Sequence, residues 1–412
     1  MDNIKTVSQC RLCDSTDIIE ILNFGEVCLA NALKSAEDLD KPEFAAPLRV
    51  FLCNNCNSIQ LFDEVSPDIL FGNGYNYSSP PNLVPHFKEY AKTTTEKVLG
   101  KNEAIKNDFI LGIGSNNGLL EKEYQNLGYW NVVGVEPAEN IAKLAEKEGV
   151  VTINEFFTPE LAAGLVVEVG QKFKLVTCNN CLAHISQIND IITGVKVLLE
   201  QSGTFVFENA YWLNNIFNKK CKDIGQVYSE HIFYHSIKPL KQFFSKHNLE
   251  LYDVQLNSVQ LGSFRCFVGW PRQHEISSSV DNLIKLEGDL GLYRLETYEE
   301  LKRDTEYSKA KLLNKLESIK SKYPNRSIAL YGVPAKIVLL IKVFELEKYI
   351  DYALDDSPLK YNKIIPGTEI PIYSSIYWKH NEPAATIIGA YNFSEDVIKN
   401  NPDYKGEWIS VF

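Results

Sequence analysis

Residues 107–150, NDFILGIGSNNGLLEKEYQNLGYWNVVGVEPAENIAKLAEKEGV, alternate short apolar runs with longer stretches of helical period. The pattern predicts a strand at Phe109–Ile113, a glycine turn, a helix, a second strand at Asn131–Val135 and another helix. This order is the opening βαβ of a doubly wound α/β sheet. FKLVTCNNCLAHI (173–185) reads as a strand running into a loop and helix, where the fourth strand of such a sheet would end. GTFVFENAYWLNNIF (203–217) gives another strand, ending at Glu208 and Asn209.

Elsewhere the pattern changes. LETYEELKRDTEYSKAKLLNKLESIKSKY (295–323) is highly charged, with Leu301, Leu312, Leu313 and Leu316 on one helical face. A connecting helix is expected there; the heptads are too irregular for a free coiled coil. SIALYGVPAKIVLLIKVF (327–344) then opens a second α/β unit with a turn at Gly332, and YIDYALDD (349–356) is its next strand. Near the N-terminus IIEILNFG (18–25) and LRVFL (48–52) supply two more strands. No internal repeat is visible.

Composition narrows the class. A chain of 412 residues suits two or three domains, and 45% hydrophobic with 11% aromatic residues can fill their cores. A net charge of −11 argues against general nucleic-acid binding. The start, MDNIKTVSQC, has no apolar run of a signal peptide, and no segment reaches the length of a membrane span. The nine cysteines sit in CxxC pairs or alone, which suits a reduced cytoplasmic setting.

Two of those pairs, Cys10 with Cys13 and Cys53 with Cys56, are separated by a 39-residue gap. Four thiolates on two tight turns make the tetrahedral shell that structural Zn²⁺ prefers, the alternative being four unbound thiols. Cys28, inside the gap, reads as a buried small side chain. Cys178 and Cys181 have no second pair nearby, so packing is expected for them at an active-site strand end.

Gly112, Gly114 and Gly118 have the spacing G-x-G-x-x-x-G, with Asn117 where a dinucleotide fingerprint wants its third glycine. A glycine turn that lets backbone approach a nucleoside suffices for a cofactor with an amino-acid tail. Glu136, 22 residues after Gly114, ends the second strand, where a carboxylate can accept both hydroxyls of a ribose. The pattern resembles motif I and the acidic loop of class I S-adenosylmethionine (SAM) methyltransferases. An NAD-type domain or a plain α/β core are the alternatives. Asn180 and His184, at the fourth strand's end, belong beside the cofactor. Tyr228, Glu230, His231, Tyr234 and His235 cluster within eight residues, a set suited to general acid–base work. His231 and His235 have a spacing that would also ligate a metal on a helix.

Taken in order, the paired Cys knuckles, YNYSS (75–79), GSNNG with GVEPA, CLAHI, FVFENAY, YSEHIFYHS and YGVPAK…DDSPLKYNKIIPGTEIPI resemble the sugar 3-C-methyltransferase family. That family methylates C3 of nucleotide-linked 4-keto-deoxysugars. The resemblance implies a catalytic base at His231, with Tyr228, Glu230 and His184 lining the sugar and Tyr75 and Tyr77 reaching it. It implies that Asn116 and Pro137 join the glycines, Glu136 and Asn180 around SAM, and that Lys336 and Lys360 meet the nucleotide's phosphates. Three departures stand out: Ser229 before the Glu, Asn117 in place of an Asp, and a later glycine-rich turn reduced to Gly262 in VQLGSFR.

The reading is therefore a three-part cytoplasmic enzyme, a monomer with no membrane or nucleic-acid partner. Residues 1–73 form a zinc-binding module and 74–272 a class I SAM-methyltransferase domain with a Rossmann-like sheet. A helical linker follows at 273–325, and 326–412 form a second Rossmann-like α/β domain. Its expected reaction is methylation of C3 of a nucleotide-linked 4-keto-6-deoxyhexose through an enolate. The rivals are an O- or N-methyltransferase with the same SAM site and a non-catalytic zinc-knuckle interaction protein.

Overall fold

The computed structural model describes residues 3–71, 78–100, 107–217 and 224–411. Seven strands form the central sheet: β1 (Ile110–Ile113), β2 (Val132–Val135), β3 (Val151–Ile153), β4 (Phe173–Asn179), β5 (Leu199–Ala210), β6 (Glu250–Asn257) and β7 (Ser263–Gly269). They lie side by side in the order β6-β7-β5-β4-β1-β2-β3. The first five strands pair in parallel, and β7 is antiparallel to both β5 and β6. All four residues of β1 are buried, as expected of a strand covered by helices on both faces. The strand order reverses at β1, between β4 and β2. A crevice therefore opens at the carboxyl ends of these strands.

The helices that cover the sheet carry their own start and stop signals. Thr158 accepts a hydrogen bond from the amide of Leu161 at 3.2 Å, Pro159 opens the helix Pro159–Val169, and Gly170 closes it with φ 74°. The helix Ile237–Lys246 is capped from a distance. The buried carboxylate of Glu287 accepts from the amides of Ile237 (2.6 Å) and Lys238 (3.1 Å), and from the hydroxyl of Tyr211 (2.7 Å). An anion at a helix N-terminus satisfies orphan amides and the macrodipole together. It also fastens the linker helix Ser278–Asp289 to the central domain.

The two N-terminal strands of the sequence reading pair as Ile18–Cys28 with Ala45–Cys53, antiparallel. Ile59–Leu61 adds a third strand, and a fourth comes from far along the chain. Phe233–Tyr234 pairs with Ile59 and Gln60, and the Leu61 amide donates to the Ile232 carbonyl at 2.9 Å. The segment holding His231 and His235 is thus an extended edge of the N-terminal sheet and not a helix, so these two histidines lack the helical spacing of a metal pair. Among the described residues they belong to no metal-binding group.

The second linker helix, Leu295–Lys322, buries Leu301, Leu312 and Leu316 and half-buries Leu313. Beyond it lies a parallel five-stranded sheet of Ile328–Tyr331, Tyr352–Asp355, Ile372–Ser374, Ala385–Ile388 and Glu407–Ser410. The first and last parts of the chain meet: Lys34–Ser35 pairs antiparallel with Lys363–Ile364, and Glu43 accepts from the Gly367 amide at 2.7 Å. Among the described residues no helix is long and apolar enough to cross a membrane.

Candidate active site

All three domains wall one cleft of about 1240 Å³. The central domain forms its floor with Gly114, Asn116, Glu136, Pro137 and Asn180 at the carboxyl ends of the strands. Asn116 sits at φ 50° and Asn180 at φ 49°, left-handed backbone that asparagine tolerates better than most residues. The Oδ1 of Asn116 accepts from the Ser79 amide at 2.8 Å, while Asn117 Nδ2 donates to Ser78 Oγ (3.0 Å) and Ser79 O (2.9 Å). Asn117 thus ties the turn to the preceding segment. Tyr75 and Tyr77, earlier in that segment, lie outside the described residues.

Two of the three glycines have other places. Gly118 has φ 76° and caps the helix Leu119–Asn126; a Cβ on it would stand 3.0 Å from the Ala145 side chain. Gly112 lies within β1 beneath the floor, and a Cβ there would meet Glu121 Oε1 at 1.9 Å. Gly114 does face the cleft; its φ is 63°, and a Cβ would strike the Cys181 sulfur at 2.5 Å. Cys178 is buried, as the packing role required, whereas Cys181 reaches the cleft wall.

The carboxylate of Glu136 accepts from the amides of Asn116 and Ala138, both at 2.9 Å, which aims it along the floor. Burial raises its pKa. Phe156, half exposed at the edge beside it, lines the same end. Nothing in the sequence pattern marked that ring.

The same cleft is also lined by Tyr228, Glu230, His231 and His184. His231 Nδ1 lies 2.9 Å from the Gln226 carbonyl, which can only accept, so the neutral ring carries its proton on Nδ1. Its Nε2 then accepts from the Tyr228 hydroxyl at 2.7 Å. Burial, and then the His184 ring with its centroid 4.8 Å away, lower the His231 pKa well below the usual value. His184 donates from Nδ1 to the Glu230 carbonyl at 2.8 Å and is also drawn toward the Asn180 carbonyl, joining the two loops; burial lowers its pKa too. The carboxyl of Glu230 is buried and accepts from Asn31 Nδ2 of the N-terminal module at 2.7 Å. Burial pushes its pKa up to about 7. His235 is stacked on Phe233 with centroids 5.3 Å apart, off the cleft, and burial lowers its pKa to about 3.

A third histidine on the wall escaped the sequence reading. His86 Nε2 lies 2.6 Å from Glu208 Oε1, and Glu208 Oε2 accepts from Arg265 Nε and Asn257 Nδ2, both at 3.0 Å. A lone His early in a helix carries no motif, so only the three-dimensional pairing reveals it.

From the C-terminal domain, Lys336 and Lys360 reach the cleft. Lys336 is buried with Nζ 3.9 Å above the Tyr391 ring. Lys360 is held by Asp355 and by the Val333 carbonyl, both at 2.9 Å.

Away from the cleft, the sulfurs of Cys10, Cys13, Cys53 and Cys56 all lie within 4.8 Å of one another, with Cys10–Cys56 and Cys13–Cys53 at 3.6 Å. Zn–S bonds of about 2.3 Å imply tetrahedron edges of about 3.8 Å, so the thiols fit that ion. The hydrogen bond from Cys56 lowers the Cys10 pKa to about 5, whereas burial raises that of Cys53 to about 11. A divalent cation would let all four ionise together.

Three family models match the chain in succession: a zinc binding domain over residues 10–71, a methyltransferase domain over 86–254 and a C-methyltransferase C-terminal domain over 258–412. In each of its three parts the chain is similar to C-methyltransferases. C-methyltransferase NovU of Streptomyces niveus is 29% identical over 407 residues, 98% of this chain and 94% of that protein. Among solved structures, magnesium protoporphyrin IX methyltransferase from Synechocystis PCC 6803 with bound SAH aligns with 48% of this chain and 90% of its own, at 13% identity and TM-score 0.35. A SAM-dependent methyltransferase from Clostridium acetobutylicum ATCC 824 aligns with 45% of this chain and 99% of its own, at 13% identity and TM-score 0.31.

The methyltransferase's floor fits SAM. The carboxylate of Glu136 accepts from two backbone amides and retains capacity for hydroxyl donors, and the Gly114 turn is closed to any side chain. Glu136 and Phe156 would hold the adenosine, and the turn at Gly114–Asn116 would lie under the tail.

Proposed function

We propose that the enzyme transfers the methyl group of SAM to carbon 3 of a nucleotide-linked 4-keto-6-deoxyhexose. The observation that supports this most directly is the Tyr228–His231 pair, half-buried in the wall of the cleft that also holds the SAM floor. A methyltransferase acting on oxygen or nitrogen has less need of a base, whereas carbon must first lose a proton.

C3 lies α to the C4 carbonyl, so its proton is acidic enough for a protein base. With Nδ1 tied to Gln226, the base is Nε2 of His231. Burial keeps this ring neutral at pH 7, in the form that can accept. When the sugar enters, the Tyr228 hydroxyl leaves Nε2 and donates to the C4 oxygen, where the electron pair of the broken C–H bond collects. His184 is engaged by backbone carbonyls, which leaves Tyr228 as the better donor. SAM supplies an electrophilic methyl on a sulfonium, whose sulfur departs with the bonding pair. Carbon 3 takes the methyl, and the C4 carbonyl re-forms. Walls from all three domains limit the access of water that would return the proton to the enolate.

Lys336 is the phosphate contact on this reading. Lys360, already paired, holds the loop before it in place. A cleft closed by one chain's own domains needs no second copy, which supports a monomer. The described cysteines are free thiols, which supports the cytoplasm.

The test is mass spectrometry of dTDP- and GDP-linked 4-keto-6-deoxyhexoses incubated with enzyme and SAM in D₂O. A new carbon-bound methyl establishes the reaction and names the nucleotide. Neither methylation nor faster deuterium uptake at C3 on either sugar would overturn it.

A further inference from the structure

We propose that Glu121 binds the α-ammonium group of SAM's methionyl tail, in a side chamber beneath the glycine turn. The proposal rests on the enzyme's binding of SAM and is independent of the sugar.

Three observations meet at this residue. Glu121 lies in the first turn of the helix Leu119–Asn126 and is only 2% exposed. Its Oε1 stands where a side chain on Gly112 would begin, so the absent Cβ of β1 is what admits the carboxyl. Its Oε2 has no hydrogen-bond partner among the described residues, and no Lys or Arg pairs with it there. A buried carboxyl oxygen without a donor or a cation is costly unless something completes it.

Something has room to. A chamber of about 40 Å³ opens beside Glu121, walled also by Thr177 and Ser115. It shares Ser79, Gly114, Asn116 and Asn179 with the main cleft. An ammonium group is about the size of a water, whose share of liquid is roughly 30 Å³.

Position selects which cation. With adenosine held by Glu136 at the end of β2, the tail runs from there across β1 toward β4. The sulfonium methyl must face the His231 side of the cleft. The remaining positive group of the cofactor therefore falls at the turn over β1, where Glu121 waits. Burial, and then the neighbouring carboxylate of Glu136, raise the Glu121 pKa to about 8, so it is largely protonated at pH 7 until a cation arrives. The other titratable group coupled to it is Tyr124, whose own pKa burial raises beyond the neutral range.

The experiment is calorimetric titration with SAH and with its analogue lacking the α-amino group. Wild type should prefer SAH by about tenfold or more, a charge-assisted contact being worth ~1.5–3 kcal/mol. Glu121→Gln should cut that preference to about twofold, with the analogue's own affinity unchanged. Titrating wild type at pH 7 in two buffers of different ionisation enthalpy needs no variant. It should show release of most of one proton per SAH and almost none for the analogue, which keeps the ribose contact to Glu136. Equal affinity of wild type for the two ligands, or equal proton release, would overturn the assignment. So would a Glu121→Gln variant that weakens both ligands alike. Failure of wild type to bind SAH at all would instead strike at the SAM site itself.

Discussion

Asn31 of the zinc module and Glu230 of the methyltransferase domain, 199 positions apart, meet through a 2.7 Å hydrogen bond. That bond and the strand pairing of Phe233–Tyr234 with Ile59–Gln60 make the small module the outer support of the catalytic loop. Asn31→Ala leaves the Glu230 carboxyl without its donor. We expect kcat/KM to fall by about tenfold, in line with ~1.5 kcal/mol for a bond to an ionisable partner, and SAH affinity to stay within about twofold. Steady-state kinetics and calorimetry on the same preparation check both.

The metal should matter in the same direction. Cys53→Ser is expected to abolish stoichiometric zinc in elemental analysis and to lower the melting temperature by about 5 °C or more, because metal-binding energy in such a module is folding energy. Methyl transfer should fall with it although the cysteines lie off the cleft.

His231→Asn removes the base and keeps most of the volume. Methyl transfer and deuterium uptake at C3 should both drop by about 10²–10⁴-fold. SAH binding should be unchanged. Appreciable residual transfer would favour methylation of oxygen or nitrogen.

The two lysines should separate. Lys336→Ala is expected to raise KM for the nucleotide sugar with little change in melting temperature. Lys360→Ala, which removes the ammonium held by Asp355 and the Val333 carbonyl, should lower the melting temperature of the C-terminal domain. Kinetics and calorimetric scanning resolve the two cases.

Stability should also depend on pH through buried carboxyls. The folded-state pKa values of Glu121 and Glu230 are raised, to about 8 and about 7. Between the usual carboxyl range and those values the native state keeps protons that the unfolded chain has lost. Their contribution is therefore fully present below the ordinary carboxyl pKa and is lost as pH rises through 7 and 8. Melting curves from pH 5 to 9 should show a smaller decline for Glu121→Gln than for wild type.

The parts of this design written in local sequence pattern were legible before any coordinates. Apolar runs marked β1, β2, β4 and β5, the paired CxxC turns marked the metal site, and the YSEH segment placed Tyr228, Glu230 and His231 together. What escaped depends on contacts between distant segments. The glycine spacing did not show that Gly118 packs on a helix and Gly112 makes room for Glu121, because both roles are defined by a neighbour's side chain. The histidine spacing at 231 and 235 left a helical metal pair open as an option, because periodicity is weak over five residues. The pairing that makes the segment a strand is supplied by Ile59 and Gln60. His86 and Asn31 carry no local signal, and only their partners, Glu208 and Glu230, identify them.

The short pairing of Lys34–Ser35 with Lys363–Ile364 bears on how the enzyme is made. On a ribosome, the zinc module emerges before the other two domains and can bind its ion at once. Its edge must then wait for the catalytic loop, and one of its strands stays unpartnered until the last domain has been synthesised. Nascent chains stalled before residue 360 should therefore hold metal yet lack a finished cleft. Enzymatic competence would arrive only when Lys363–Ile364 have emerged to close on Lys34–Ser35.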